Sequence, residues 1–151
     1  MYRYRDSALE VFLVHPGGPF WAKKDLGAWT IPKGEYEDDE QPLAAARREF
    51  TEETGFAANG EFLELGVIKQ AGGKLVSVSA FAGDCDPGDL RSGTFEMEWP
   101  PRSSRRAEFP EVDRGGWFSI AKARTYILKS QEPVLDLLMK KLDAAKSDDV
   151  L

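Results

Sequence analysis

Residues 34–56, Gly-Glu-Tyr-Glu-Asp-Asp-Glu-Gln-Pro-Leu-Ala-Ala-Ala-Arg-Arg-Glu-Phe-Thr-Glu-Glu-Thr-Gly-Phe, limit the fold more than any other stretch of the chain. Pro42 suits the first turn of a helix, where its missing N–H has no intrahelical partner. The acids before it favour the positive end of a helix dipole. Leu43, Ala44, Ala45 and Ala46 are strong helix formers. Gly55 is placed to take the left-handed conformation that closes a helix. The pattern predicts a helix over 42–54. Leu43, Ala46 and Phe50 fall three and four residues apart and make one apolar face. Glu49, Glu52 and Glu53 make a second face, and like charges at that spacing repel. Such a ridge is either a solvated acidic face or a cation site. As a cation site its hard oxygen ligands suit Mg²⁺ or Mn²⁺. Arg48 stands beside Glu49 and one turn before Glu52, so it can hydrogen-bond a carboxylate and hold its orientation.

The order of these residues favours the cation site. Gly34 is followed by five residues, Glu40, seven residues, Arg48-Glu49-Phe50, one residue, Glu52-Glu53, one residue, and Gly55-Phe56. This resembles the Nudix box, the signature of the Nudix hydrolases, at every defined position. The resemblance implies an α/β fold, the α/β/α sandwich with a mixed β-sheet. It implies a single domain over 1–151 that binds divalent metal, Mg²⁺ (or Mn²⁺), on a loop–helix–loop. It implies cleavage of a nucleoside diphosphate linked to another group. Carried over by position, Glu49, Glu52 and Glu53 are the expected metal ligands, completed by a backbone carbonyl around Lys33–Gly34. Glu49 can also act on the attacking water, Arg48 orients Glu49, and Glu40 supports the loop. Related enzymes use a further loop glutamate a few residues before a tryptophan. Glu111 fits best by its spacing to Trp117, with Glu108 and Glu98 as rivals and a plain surface glutamate as the alternative.

Charge narrows the partners. The net charge is −6, and 34–55 alone carries eight acids against two bases, so the remainder is nearly neutral. A local acidic patch argues against duplex nucleic acid, which favours a basic surface. No apolar run approaches membrane-spanning length. The N-terminal residues lack the apolar core of a signal peptide. With Cys85 as the sole cysteine, no intrachain disulfide can form. These features lead us to expect a cytoplasmic protein, and 151 residues suit one domain.

Around the helix, Leu9–Val14 reads as a buried strand, with Tyr2–Arg5 as its hairpin partner across Asp6-Ser7. His15, the single histidine, is expected at a loop edge, bonding locally or lying near substrate phosphate. Trp29 and Ile31 alternate like a short strand. Pro32-Lys33-Gly34 resembles the lead-in of dinucleoside polyphosphate and diphosphoinositol polyphosphate members of the family. Lys33 is expected to pair with a substrate phosphate or a loop acid. Glu61–Gln70 and Leu75–Phe81 suggest a hairpin across Ala71-Gly72-Gly73. Residues 69–73 lack the marker proline or tyrosine of the ADP-ribose class and of one dinucleoside polyphosphate class. Phe95, Met97 and Trp99 share a strand face, for packing or base stacking. Arg102, Arg105 and Arg106 sit in a Pro/Ser-rich loop, either solvated or clamping phosphate. The last strand is expected from Trp117, followed by helices over 121–128 and 132–145.

The functional expectation is metal-dependent hydrolysis of a P–O–P bond in a small-molecule nucleoside polyphosphate, with dinucleoside polyphosphates ahead of nucleoside triphosphates. The alternatives are a non-catalytic nucleotide-binding or regulatory module on the same fold, and an acidic helix that docks a basic partner. The oligomeric state stays open, a homodimer included.

Overall fold

The computed structural model describes residues 1–33, 40–70 and 72–149. Strands β1 (Tyr2–Arg5) and β2 (Ala8–Pro16) form an antiparallel hairpin. Its turn residues Asp6 and Ser7 have φ of 53° and 67°, the left-handed pair that matches the twist of two antiparallel strands. The other edge of β2 pairs with β7 (Val112–Ser119). Central β2 is covered on both faces, so Val11, Phe12, Leu13 and Val14 are all buried. This explains its continuous apolar run.

The helix α1 spans Pro42–Thr54 and ends at Gly55, whose φ is 78° and whose N–H donates to Thr51 O. Its buried residues are Ala45, Phe50 and Thr54. The expected inner face of Leu43, Ala46 and Phe50 holds only at Phe50. The last turn packs inward, with Phe50 edge-on to Phe81 at 5.1 Å. The first turn stands away, leaving Leu43 39% exposed. Beyond α1, β3 (Phe62–Lys69) and β4 (Leu75–Phe81) form the expected hairpin. A second hairpin, β5 (Thr94–Glu98) with β6 (Arg106–Pro110), follows. Helices α2 (Ile120–Tyr126) and α3 (Pro133–Asp149) complete the chain. Val134, Leu135, Leu138 and Leu142 of α3 join the core against Val11 and Leu13 and the face of β3–β4.

The named strands pair antiparallel. Among the described residues, the parallel component lies in two isolated bridges, Tyr2↔Ala82 and Trp29↔Ile127. The first ties β1 to the end of β4. No helix among the described residues is long and apolar enough to cross a membrane.

Three local expectations change. His15 lies inside β2 rather than at a loop edge, and it is fully buried. Its Nε2 sits 2.6 Å from Lys24 O and its Nδ1 2.9 Å from Asp113 Oδ1, so it ties β2 to β7 and to the segment after β2. Residues 106–110, read as loop, form a strand because they pair with β5. The last strand begins at Val112 rather than Trp117. Gly115 is part of it, lying under the Phe12 ring, where an added Cβ would stand 2.5 Å from Phe12 Cζ.

Candidate active site

Four carboxylates gather at the outer side of α1, and one guanidinium organises three of them. Arg48 Nε and Nη2 donate to the two oxygens of Glu40, both at 2.8 Å. Nη1 turns back to Glu49 at 2.9 Å and reaches Glu52 at 3.2 Å. A bidentate fork of this kind fixes direction as well as charge. Arg48 therefore grips Glu40 hardest and holds Glu49 and Glu52 with the remaining nitrogen. Its own proton is held more tightly than usual by the bond to Glu40 and then that to Glu52.

Glu53 points elsewhere. Its Oε2 accepts the Lys33 backbone N–H at 3.0 Å. Lys33 thus enters the site through its main chain, while the residue as a whole is exposed. Burial pushes the Glu53 carboxyl up to about 7, opposed by that N–H, with the charges of Glu111 and Glu49 raising it further. Burial also raises Glu49, against the pull of Arg48. Crowded, partly dehydrated carboxylates of this kind favour a proton or a cation between them.

Glu111 comes from the opposite side, and helix capping places it there. The last carbonyls of a helix lack intrahelical partners. In α1 they are met by a loop: Arg91 N–H donates to Thr54 O at 2.8 Å and Gly93 N–H to Glu52 O at 3.0 Å. Gly93 O in turn accepts the Glu111 N–H at 2.8 Å. The Glu111 carboxylate makes no hydrogen bond to any described residue. The rivals lie further along the β5–β6 hairpin. Glu98 accepts the Arg102 N–H at 2.6 Å, and Glu108 faces Glu96 across the strands.

Arg102, Arg105 and Arg106 occupy the tip of that hairpin, while Glu111 follows its root. Arg106 opens the five-residue strand β6 that ends just before Glu111, a length of about 16 Å. Arg106 lies 3.5 Å from Glu96. The structure therefore brings Arg48, Glu49, Glu52, Glu53, Glu111 and the Lys33 backbone together, and leaves the three arginines at a distance. Gly34, the expected backbone ligand, lies outside the described residues. Phe95 pairs with Phe109, and Trp99 stands edge-on to Phe20 at 5.6 Å, so this face is engaged in packing. A mainly apolar, partly open cavity beside Phe50, Leu13 and Leu135 measures ≈ 80 Å³, far below the several hundred Å³ of a ligand pocket.

Residues 3–138 match the family model of the NUDIX domain. The chain belongs to the Nudix family. Solved structures share its fold. The Nudix domain of Shewanella oneidensis NrtR, complexed with ADP ribose, superposes with a TM-score of 0.63 at 16% identity, covering 93% of this chain and 82% of that one. A C. elegans Ap4A hydrolase binary complex gives 0.59 at 20% identity, covering 95% and 93%. The E. coli ORF135 protein gives 0.56 at 23% identity, covering 95% and 87%. At these identities the likeness is one of fold. No curated protein matches the sequence.

In Nudix terms, the acids on α1 are the box glutamates. Their donor set of hard carboxylate oxygens fits Mg²⁺ or Mn²⁺. Among the described residues, no three acids stand close enough to form a ready-made cage. The raised proton affinity of Glu49 and Glu53 is the observation that fits a cation here.

Proposed function

We propose that this Nudix protein hydrolyses a P–O–P bond in a nucleoside polyphosphate, with dinucleoside polyphosphates ahead of nucleoside triphosphates. The observation that carries the reading is the crowding of Glu49, Glu53 and Glu111 around the end of α1, where burial lifts Glu53 to about 7. Glu49, Glu52 and Glu53 would hold Mg²⁺ or Mn²⁺, with a backbone carbonyl at Gly34. When bound, the metal neutralises the bridging phosphates and lowers the pKa of a water molecule.

The protein's own groups do the rest. Arg48 keeps Glu49 and Glu52 aimed by anchoring on Glu40. A carboxylate takes the proton from the attacking water. Between Glu49 and Glu111 the second suits the task, since Glu49 is tied to Arg48 and the Glu111 carboxylate has no hydrogen-bond partner among the described residues. Hydroxide then forms a bond to one phosphorus, and the bridging oxygen leaves with its electron pair. Lys33 and, from the hairpin tip, Arg102, Arg105 and Arg106 are proposed to meet the remaining phosphates. Among the neighbours in fold, one is an Ap4A hydrolase and one is complexed with ADP ribose. ADP ribose and Ap4A both contain a nucleoside diphosphate, which supports such a core in the substrate.

The test is a panel of nucleoside triphosphates, dinucleoside polyphosphates, nucleotide sugars and inositol pyrophosphates with Mg²⁺ or Mn²⁺, the products identified by mass. Turnover that EDTA abolishes supports the reading. Tight nucleotide binding without turnover on any panel member rejects it in favour of a non-catalytic module.

A further inference from the structure

We propose that Ser92 and Gly17 are the positioning residues of Glu111, closing its backbone in a clamp that leaves the carboxylate as its one polar group without a partner among the described residues. The inference rests on the reading of Glu111 as a reacting carboxylate of this site. Three main-chain polar groups flank the Glu111 Cα atom, and each is bonded. Its N–H donates to Gly93 O at 2.8 Å and its carbonyl accepts the Gly17 N–H at 2.9 Å. The following N–H, of Val112, donates to Ser92 Oγ at 2.9 Å. Ser92 Oγ–H then donates to Gly93 O at 2.7 Å, closing the ring through one hydroxyl. Both soft dihedrals of Glu111 are thereby pinned.

The clamp is built from two unrelated parts of the chain. Ser92 and Gly93 belong to the loop that caps α1, so their position is set by the helix that carries the box glutamates. Gly17 follows β2, and it approaches the hairpin root so closely that an added Cβ would stand 1.9 Å from Pro110 O. Only a glycine fits there. Gly93 also faces the site, with the Glu111 carboxyl carbon 3.9 Å from the position of an added Cβ. A surface glutamate on a loop does not need four backbone and hydroxyl bonds around one residue. A carboxylate that must meet a bound water within a fraction of an ångström does.

Ser92→Ala is the primary variant, because it removes the ring closure without adding bulk. Ser92→Thr restores the hydroxyl, and Gly17→Ala tests the other side. Two quantities are measured on the full chain: Mn²⁺ affinity, which needs no turnover, and kcat and KM on whichever panel nucleotide the wild type hydrolyses fastest. We expect Ser92→Ala to lower kcat or Mn²⁺ affinity by about 10–100-fold, the usual loss when a partner that orients a site residue is removed. KM should change much less than kcat, and Ser92→Thr should recover most of the loss. In a Glu111→Gln background, Ser92→Ala should cost nothing further, because its effect passes through Glu111. Independent, multiplicative losses in the double variant overturn the proposal, as does an unchanged Ser92→Ala. If Gly17→Ala does not fold, the serine series decides. If the wild type hydrolyses no nucleotide, the pyrophosphohydrolase reading falls, and the Mn²⁺ series still tests the clamp.

Discussion

Among the described residues, Arg48 divides one guanidinium among three carboxylates, and the division is unequal. Glu40 takes the two-pronged fork, so Glu40 is the anchor and Glu49 the group being aimed. Replacing Arg48 by Lys keeps the charge and loses the fork. We expect a fall in kcat of about 10–100-fold with the fold intact, read by steady-state kinetics beside a thermal melt. Glu53 offers a sharper test, because function and stability should move in opposite directions. Its folded-state value of about 7 lies above the ordinary 4.5. Its protonated form therefore favours the folded chain below pH 4.5, and that contribution is lost as pH rises through 7. Glu53→Gln removes the penalty. In EDTA its melting temperature should exceed that of the wild type at pH 8, with the gap closing towards pH 4.5, while turnover falls by at least about 100-fold. Equal melts at pH 8 would show that the carboxyl is not under strain. His15 provides the contrast. Both its ring nitrogens face acceptors inside a strand. His15→Phe should destabilise by about 1–3 kcal/mol in urea melts and leave KM unchanged, which separates a buried strut from a phosphate contact.

Helix α1 is where local and long-range forces meet. Its limits follow from Pro42 and Gly55, which act within a few residues of themselves. Its C-terminal carbonyls are met by a loop some forty residues later in the chain, and that loop delivers Glu111. Capping of the helix and placement of Glu111 are thus one structural event. Gly55 is doubly constrained, by a φ of 78° and by Arg91, whose Cβ would lie 2.8 Å from an added methyl. Gly55→Ala should cost about 1–3 kcal/mol in denaturant unfolding and should loosen the Arg91–Gly93 loop, lowering kcat as well. A loss of stability with full activity would mean that the cap and the site are uncoupled. The β5–β6 hairpin behaves differently. It is held along the Gly17–Phe20 strap, with Gly18 beneath Phe95 and Phe20 against Trp99. Its arginine tip stands well away from the acids. Losing all three tip arginines should therefore raise KM for long polyphosphates more than it lowers kcat.

For the whole molecule, metal addition provides the global test. A cation that binds the folded chain alone stabilises it by about 2.7 kcal/mol at one hundred times its dissociation constant. Mg²⁺ should raise the melting temperature of the wild type, and Glu52→Gln should blunt that rise. The fold around the acidic ridge was legible where the signal is local. The hairpin turn at Asp6-Ser7, the ends of α1, the β3–β4 pair and the apolar stripe of α3 all follow from propensity and periodicity over a few residues. So did the family, because the box is contiguous. Contacts between distant residues were not legible in the same way. Residues 106–110 read as loop because a short polar segment becomes a strand only when β5 is alongside. The last strand was expected only from Trp117, because nothing nearby in sequence announces the Phe12 ring over Gly115. Leu43 looked buried because a helical period gives a face but not the tilt at which a helix meets its sheet. The same division runs through the site. Chain order alone put Arg48, Glu49, Glu52 and Glu53 on one turn-spaced ridge, since an α-helix converts spacing directly into proximity. The meeting of that ridge with Glu111, through Ser92, Gly93 and Gly17, depended on how three remote segments satisfy one another's backbone hydrogen bonds, and those pairings form only once the chain has closed on itself.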